Sequence, residues 1–477
     1  MVWRAPRVAR AACGLLVGAG IAFSAATVGA QTTSGEAAKT RKGEVDRSLQ
    51  GGTASPGAAG EAGPVTFQDV LQNPSDPGVN LAYARQLIAE GRLELASATL
   101  ERILLQYPNL NDVRLLYAIV LFRLDSLDSA RSEVELLLSR DTTAQIRSEA
   151  ERYAGLIQSA QQSLKKTASL SLGGHLDTNR NAYPGGGDFL VLNAPVQGTG
   201  KRERDVGWLA LGSAEIRYDT GDQKTQELSA RVTGIVDNQV KIDPLDVRGA
   251  IFEFGMLHKE QIGDIRPRIR YGYIELSQRK YVADSSVGAS LDHRMPIAGL
   301  TLTVDGELGY EDYSNTDDVP LAKEQEGRYW NAKVGGTYII DQSMRANGFL
   351  HHKDKKARVR FEAYKTWGIE LSMLKVFDNN SYLNADAMLD YQKYRSPDPF
   401  VSTAKQRSDR DWSLGLTYGL PLLTVIRMVD SDAVMPAGWD DFDLALSGTY
   451  TRQDSNIPNY DYGNWRAQFL ISKRWNF

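Results

Sequence analysis

Two patterns of hydrophobic and polar positions divide this sequence. Between about 66 and 165 apolar residues recur every three or four positions, which predicts amphipathic helices, and from about 167 onward they alternate with polar residues, which predicts β-strands. The last stretch, NWRAQFLISKRWNF, alternates clearly, with Leu470 as the one apolar residue on its polar face. Its other face, apolar apart from Lys473, carries Trp465, Ala467, Phe469, Ile471, Trp475 and Phe477. Such a strand fits a soluble sandwich or a membrane barrel, so the remaining segments have to decide.

The helical region contains an internal repeat. The stretch YARQLIAEGRLELASATLERIL, starting at Tyr83, aligns with YAIVLFRLDSLDSARSEVELLL, starting at Tyr117, at a spacing of 34 residues. A 34-residue period with small residues where two helices touch is the tetratricopeptide pattern. Gly91 turns the first helix of the unit into the second, and Asp125 replaces that glycine in the second unit. The segment from about 142 to 164 predicts a further helix that caps the stack.

Repeats of this kind present surfaces that bind a peptide or another protein, here along the first helix of each pair. The sequence therefore predicts a client groove with the candidate residues Arg85, Leu115, Ile119 and Phe122. A packed helical bundle that binds nothing is the alternative, and the sequence leaves both open.

The region from about 167 onward contains about 14 strand-like segments whose connections tend to alternate in length. GDQKT, PIA, DQS and DNN are short, whereas 179–205, SNTDDVPLAKEQEG and RSPDPFVSTAKQRSDR are long. This alternation predicts an antiparallel transmembrane β-barrel with tight periplasmic turns and long outer loops, and an even strand number returns both ends to the periplasm. The connection at about 425–439 is an exception, and predicts either a long periplasmic turn or a further pair of strands.

Charged residues in three of these segments fall on one face of the predicted strand. They are Arg266, Arg268, Arg270, Arg358, Arg360, Glu362, Asp386 and Asp390. A charge pointing at lipid near the bilayer centre costs about 2–4 kcal/mol, so these side chains are expected to line the lumen. A mutually neutralised lining and a relay for a substrate both remain possible interpretations.

The N-terminal part predicts export. Arg4, Arg7 and Arg10 precede an apolar stretch from 11 to 28, and VGA at 28–30 has the small residues of a cleavage site, which is typical of a signal peptide. A membrane anchor is the alternative. The single cysteine, Cys13, lies in this stretch, so the mature protein is expected to lack a thiol. Residues 31–65 have almost no large apolar side chains and predict a disordered linker.

Net charge and histidine placement argue against several functions. A net charge of −4 gives no reason to expect nucleic acid as a partner. The histidines are His175, His258, His293, His351 and His352, and none lies in a recognisable catalytic motif. His351 and His352 are adjacent on a strand and should point to opposite faces, which disfavours a joint metal site. No catalytic site, cofactor or metal is expected.

The predicted fold class is α + β in two domains, and it resembles a known family. The layout is a signal peptide (1–30), a linker (31–65), a small tetratricopeptide-like helical domain (66–166) and an antiparallel outer-membrane β-barrel of about 14 strands (167–477). This architecture resembles the surface lipoprotein assembly modifiers, and Asp177, Asn179 and Asn181 match an Asp-x-Asn-x-Asn segment after the first barrel strand there. The resemblance implies an outer-membrane protein with its helical domain in the periplasm, which helps move lipoproteins or soluble proteins to the cell surface.

The resemblance also implies partners. Outer-membrane lipid and a client lipoprotein or secreted protein are expected, and Phe469, Trp475 and Phe477 resemble the C-terminal signal read by barrel-assembly machinery. An exopolysaccharide export porin with a tetratricopeptide scaffold is an alternative. The repeat arrays of such exporters are usually longer than this one. A lumen lined by charges of one sign would favour an exporter, whereas arginine and acidic residues are mixed here. A barrel enzyme or a passive porin is a second alternative.

Overall fold

A computed structural model describes residues 66–220, 226–341, 343–430 and 441–477. These residues form two compact units, helical up to Ser163 and built of strands from Leu164 onward. The predicted signal peptide with Cys13 and the predicted linker lie outside the described residues. No helix among the described residues combines the length and the apolar character needed to cross a bilayer.

The first unit contains six helices in which two pairs recur along the chain. The helices are α1 (Phe67–Gln72), α2 (Pro77–Ala89), α3 (Leu93–Gln106), α4 (Asn111–Arg123), α5 (Leu127–Leu138) and α6 (Ala144–Gln161). The pair α2 and α3 begins 34 residues before the pair α4 and α5, which is the spacing of the sequence repeat. Asp76 starts the first pair, because its Oδ1 accepts the Gly78 N–H at 2.8 Å and Pro77 has the backbone angle that a first helical turn needs.

The turns inside the two helix pairs have the same backbone geometry. Gly91 has φ 77° and Asp125 has φ 59°, so both residues are left-handed. In the first turn the Arg92 N–H donates to the Leu87 carbonyl at 2.8 Å, and in the second the Ser126 N–H donates to the Leu121 carbonyl at 3.0 Å. Aspartate adopts this conformation more readily than most residues, although at a higher cost than glycine. The second turn therefore keeps its geometry although Asp125 stands in place of glycine.

The second unit is a closed barrel of fourteen antiparallel strands. The barrel strands are β1 (Leu164–Asp177), β4 (Asp205–Asp219), β5 (Gln226–Gln239), β6 (Val247–Glu260), β7 (Gly263–Leu276), β8 (Arg279–Arg294), β9 (Leu300–Tyr313), β10 (Gly327–Ile339), β11 (Met344–Lys355), β12 (Tyr364–Val376), β13 (Tyr382–Tyr394), β14 (Ser408–Pro421), β15 (Phe442–Ser455) and β16 (Tyr462–Asn476). Each strand pairs with its neighbours in sequence, and β16 pairs with β1. The prediction of about 14 strands agrees with this count, and β1 begins at Leu164, three residues earlier than expected.

Two predicted details of the connections were wrong, and a third connection contains a helix. The loop after β1 contains a small hairpin, β2 (Asp188–Val191) and β3 (Ala194–Gln197), where only a polar loop was expected. The long connection after β14 contains the helix α7 (Leu422–Val429), and its residues 431–440 lie outside the description. Residues 358–363, expected to belong to a strand, lie in a loop because β11 ends at Lys355 and β12 begins at Tyr364.

Candidate transport lumen

The outer face of the barrel is apolar. On β16 the side chains of Trp465, Phe469 and Ile471 are 59%, 44% and 40% exposed, while the alternate side chains point into the barrel. Exposed apolar residues recur in this way around the strands. A surface of this extent is stable only against another apolar medium.

Aromatic side chains mark both edges of this apolar surface. At the long-loop end, the fourth strand residue from the edge is an exposed aromatic residue on six strands: Trp208, Tyr310, Trp330, Trp367, Tyr391 and Trp465. The short-turn end carries exposed Tyr218, Tyr338, Phe377 and Tyr418. Tryptophan and tyrosine favour the two interfaces of a bilayer. A closed antiparallel barrel with these two aromatic bands is a transmembrane barrel of the outer-membrane class.

The three arginines predicted on β7 form a ladder on the face opposite the exposed Ile269 and Tyr271. Each guanidinium contacts carboxylates on β7, β8 or β9: Arg266 with Asp264 and Asp292, Arg268 with Asp305 and Glu307, and Arg270 with Asp284 and Glu307. Glu307 is shared, since its two oxygens lie 3.1 Å from Arg268 and 2.6 Å from Arg270. The ladder is therefore neutralised within the wall, as the first of the two interpretations expects.

A second set of charges lies on β10 to β14. His351 lies 3.3 Å from Glu370 and 3.0 Å from Asp390, and Lys333 Nζ lies 2.5 Å from Glu370. Asp386, two residues from Asn384 on β13, forms no ion pair with any described residue. The predicted lumen residues Asp386 and Asp390 thus lie on the same strand, but only Asp390 has a basic side chain, His351, beside it among the described residues.

A third set of charged side chains was not predicted from the sequence, and it is the most buried of the three. His175 on β1 hydrogen-bonds Asp177 through Nδ1 at 2.9 Å and Asp237 through Nε2 at 2.7 Å. Because an ionised carboxylate only accepts, both ring nitrogens have to carry hydrogen, and His175 is an imidazolium. Arg180 and Arg466 each contact both carboxylates at 3.3–3.8 Å. Three cations and two carboxylates therefore form one cluster in the wall, which we call the seam cluster.

Glycines make room for both inward histidines. A methyl group on Gly207 would clash with the His175 ring, and one on Gly368 would clash with the His351 ring. In both places the glycine is the direct cross-strand partner of the histidine. His352 points the other way, and its ring lies between Trp330 and Trp367 at centroid distances of 4.8 Å and 3.9 Å. The prediction that the adjacent histidines point to opposite faces is confirmed.

Leu470, the apolar exception on the last strand, also has a place in the lumen. It packs against a small cluster of Leu209, Leu211 and Ile235, which are at most 5% exposed. Gly173, its cross-strand partner, leaves the space that the leucine needs. The lining is therefore not uniformly polar.

Loops from β1 and β13 meet at the long-loop end. The hairpin turn Leu192–Asn193 is left-handed at both residues, as a two-residue hairpin turn requires. The Leu192 N–H donates to the Phe400 carbonyl at 3.1 Å, and the Asn193 side chain accepts from Ser402 Oγ at 2.8 Å. At the base of the same loop, Asn179 Nδ2 donates to the Tyr183 and Gly463 carbonyls, and Asn181 Nδ2 donates to the Lys201 carbonyl at 3.0 Å. The Asp-x-Asn-x-Asn segment thus ties the loop down.

Arg358, Arg360 and Glu362 are not on a strand of the lumen wall. They lie in the loop after β11, where Arg358 and Arg360 are exposed and Glu362 is half-buried. Burial raises the pKa of Glu362 to about 7, and Asp398 adds to the rise while Arg407 opposes it. The alternation of RVRFEA imitates a strand, which is why the sequence placed these residues wrongly.

The four groove candidates on the helical unit are not all accessible. Ile119 and Phe122 are 4% and 7% exposed and belong to the core between α4, α5 and α6. Leu115 is half-buried at the edge of that core, and Arg85 is exposed on α2. The helix stripe that the sequence assigned to a client is therefore partly the face of α4 that packs against α5 and α6.

The residues proposed as an assembly signal lie on and after β16. Phe469 and Phe477 are 44% and 70% exposed, and Trp475 is half-buried. The Phe477 N–H donates to the Lys166 carbonyl at 2.9 Å, so the ladder with β1 continues to this residue.

Among the described residues, no three His, Cys, Asp or Glu side chains are arranged to hold a metal ion.

Sequence reasoning could have found only part of the seam cluster. Asp177 was singled out as part of a motif, but Asp237 and Arg466 lie far from it along the chain and no spacing rule joins them. Arg180 is inside the same short segment as Asp177, yet its burial depends on how the loop folds back. Barrel closure brings these residues together, and one strand seen alone does not reveal that.

No protein-family model matches the sequence. No curated protein matches it closely enough to count as a relative. Solved structures resemble it in part. An outer membrane channel from Pseudomonas putida F1 has a TM-score of 0.34 and 9% identity over 65% of this chain and 95% of its own. The outer membrane channel DcaP of Acinetobacter baumannii has a TM-score of 0.36 and 6% identity, over 66% of this chain and 98% of its own. An anion-selective porin from Comamonas acidovorans has a TM-score of 0.34 and 7% identity, over 66% of this chain and 99% of its own. A likeness at this level says nothing about what the barrel carries.

Proposed function

We propose that this chain is an outer-membrane transport barrel that helps move a lipoprotein or a soluble protein to the cell surface. The helical unit would recruit this client in the periplasm. The observation that carries the proposal is the order of elements, in which helix pairs spaced by 34 residues precede a closed barrel of fourteen strands. The surface lipoprotein assembly modifiers have the same order, and the Asp177 segment is similar to theirs.

The orientation supports a periplasmic place for the helices. The chain enters the barrel at Leu164, on the end where the connections are mostly short. Short turns face the periplasm in barrels of this class. Residues before Leu164 would then remain on the side where an exported client first arrives.

The test compares surface proteins in a deletion strain with and without the complementing gene, by protease shaving and mass spectrometry. We expect one or a few lipoproteins or secreted proteins to lose surface exposure in the deletion strain while their total amount is unchanged. Loss of a surface polysaccharide with all protein exposure intact would refute the proposal in favour of sugar export. Unchanged proteins and sugars would refute both.

A pair of variants tests the recruiting role separately. Arg85→Glu changes an exposed residue on α2, the first helix of its pair, whereas Arg131→Glu changes an exposed residue on α5, the second helix of its pair. If the first helix binds the client, only Arg85→Glu should reduce surface exposure. Equal effects of the two variants, at equal amounts of folded barrel, would contradict recruitment through that helix.

A second function, passage of small cations, is favoured by the carboxylates that β13 and β14 direct into the lumen. Asp386 on β13 and Asp411 on β14 form no ion pair with any described residue. Ser413, also on β14, is 1% exposed, and its Oγ has no hydrogen-bond partner among the described residues. Uncompensated carboxylates in a pore attract cations.

Planar-bilayer recording tests this second function. With a salt gradient across the bilayer, Asp386→Asn and Asp411→Asn together should shift the reversal potential toward anions. Asp317→Asn, which removes an exposed carboxylate from a loop, is the matched control and should leave it unchanged. A barrel without measurable conductance, or an unshifted potential, would rule out a cation pore.

A further inference from the structure

Charges on the outer face above the long-loop aromatic band are mostly balanced by their neighbours. Arg248 lies directly opposite Glu275 in the β6–β7 ladder. Lys280 Nζ contacts Asp312 at 2.5 Å, and Arg452 Nε contacts Asp454 at 2.6 Å. Cross-strand pairs of opposite charge stabilise a sheet, and like charges in the same place destabilise it.

The strands β12 to β14 break this rule. Lys365 and Lys393 are both exposed and lie directly opposite each other. Arg410 is exposed on the next strand, diagonal to Lys393 because it is the partner of Tyr391. Diagonal neighbours of this kind are about 7–8 Å apart. One oxyanion can therefore be reached by more than one of these side chains.

Few carboxylates offset these cations. Lys365 lies 3.5 Å from Asp354, which also pairs with Arg395. Lys393 and Arg410 form no ion pair within the described part of the chain, and Asp454, opposite Arg410, pairs instead with Arg452. The carboxylates of the sheet relieve this arrangement only in part, because Asp354 and Asp454 are each shared with another arginine.

The loop after β11 adds to the positive charge. Lys356, Arg358 and Arg360 are exposed there, next to the start of β12. They include the two arginines that the sequence had placed in the lumen. We call the six residues Lys356, Arg358, Arg360, Lys365, Lys393 and Arg410 the basic patch.

The depth of the basic patch in the membrane follows from the aromatic band. Trp367 and Tyr391, both exposed, each lie two residues closer to the middle of their strands than Lys365 and Lys393. Since such aromatic side chains lie at the level of the headgroups, the lysines lie at the outer edge of that layer. Phosphate is the anion that lipids present there.

We propose that the basic patch binds the phosphate groups of phosphorylated lipids in the leaflet at the long-loop end. The lipid supplies negative charge to the outer face at the long-loop end of β12 to β14, and its acyl chains cover the apolar strand face below Trp367. This inference depends on the barrel lying in a membrane, and it is independent of what the lumen carries.

The test measures lipid binding to the full chain purified in detergent, by native mass spectrometry. The probes are bis-phosphorylated lipid A and the same lipid with both phosphates removed. The triple variant Lys365→Gln, Lys393→Gln and Arg410→Gln should bind the phosphorylated lipid roughly tenfold or more weakly, because each cation near a membrane surface contributes to attraction of an anionic lipid. Binding of the dephosphorylated lipid should be weak and unchanged.

The matched control neutralises three cations at the same end of the barrel that form ion pairs: Arg279→Gln, Lys280→Gln and Arg452→Gln. We expect it to change binding by about twofold or less, because those charges are already compensated. Wild-type affinity in the first triple variant would overturn the proposal, as would equal binding of the dephosphorylated lipid. Full competition by an equal concentration of inorganic phosphate would also overturn it, since a lipid would then not be the ligand.

A second variant keeps the test informative if the triple variant does not fold. Arg358→Gln with Arg360→Gln changes only loop residues, so the strand ladder is untouched. Folding is checked by the difference in gel migration between heated and unheated samples. The loop variant should weaken binding of the phosphorylated lipid severalfold, and an unchanged affinity in this folded variant would count against the proposal.

Discussion

Asn464, on the last barrel strand, donates a hydrogen bond of 2.6 Å from its Nδ2 to Oδ1 of Asp177, on the first. This bond crosses the seam where the two ends of the sheet meet. The other oxygen of Asp177 accepts from His175 at 2.9 Å and faces Arg180 and Arg466. Asp177 therefore connects the first strand, the last strand and the base of a loop, and it is 1% exposed.

Removing Asp177 should strongly destabilise the barrel. Asp177→Ala leaves His175, Arg180 and Arg466 to share Asp237 as their one remaining carboxylate in the cluster. Removing one partner from a buried ion pair costs about 3–5 kcal/mol. Urea unfolding of the protein in lipid vesicles would measure the loss. Asp317→Ala removes a carboxylate from the exposed pair with Arg279 and should cost about 0–1 kcal/mol. Equal losses in the two variants would contradict the role of the seam cluster.

The left-handed turn at Asp125 predicts a stabilising substitution. Asp125→Gly should stabilise the second helix pair by about 1 kcal/mol, because a non-glycine residue pays a steric cost at φ 59°. Hydrogen exchange of α4 and α5 in the full chain would show slower opening. The converse change, Gly91→Ala, should speed opening of α2 and α3 by placing a side chain at φ 77°. Faster exchange in Asp125→Gly would show that its side chain matters more than its backbone.

Glu362 predicts a pH dependence for the loops at the long-loop end. Burial, the largest cause, raises its pKa from 4.5 to about 7, so the folded loop binds a proton more tightly than the unfolded chain does. The contribution to stability is fully present below about pH 4.5 and is lost as pH rises to about 7, because the unfolded state binds fewer protons in that range. The melting temperature of the detergent-solubilised protein should therefore fall between about pH 5 and about pH 7.

Two variants isolate that effect. Glu362→Gln should flatten the pH profile, since the titrating group is gone. Asp341→Asn should leave the slope of melting temperature against pH unchanged. Hydrogen bonds from Ser343 hold the pKa of Asp341 below its usual value of 3.8, so this group does not titrate between about pH 5 and about pH 7. A slope that persists in Glu362→Gln would assign the dependence to another group.

Gly368 predicts a steric effect inside the lumen. A methyl group there would clash with the His351 ring and with Asp390, so Gly368→Ala should cost about 1–3 kcal/mol through displaced side chains. Gly306→Ala is the control, because a methyl group there has nothing within 4 Å, and it should change stability by about 0.5 kcal/mol or less. Vesicle unfolding of both variants tests the difference. Similar costs would mean that strand flexibility, rather than space for His351, determines the effect.

The strands were predictable from sequence because lipid and lumen impose opposite demands on alternate residues. Trp465 and Arg466 are neighbours in the chain, yet one is 59% exposed on the outer face and the other reaches the seam cluster. The same rule failed at Arg358 and Arg360. Their alternation with apolar residues is real, but a loop outside the membrane can alternate too, and nothing local distinguishes the two cases.

The contacts of the lumen were much less predictable. Alternation indicates that Arg268 points inward, but its partners Asp305 and Glu307 lie on β9, and only the register of the strands brings them within reach. Periodicity on the helices has a similar limit. It identified Ile119 as part of an apolar stripe, but it does not tell a stripe that binds a client from one that packs against the next helix.

The seam cluster also determines how the two ends of the sheet can join. Because successive side chains alternate between the two faces, a shift of one residue along the first strand would send Arg466 into hydrocarbon and Trp465 into the pore. In the observed alignment Asn464 reaches Asp177, and Arg466 reaches Asp177 and Asp237. The counter-charges at the seam therefore favour this alignment of the last strand over one shifted by a residue.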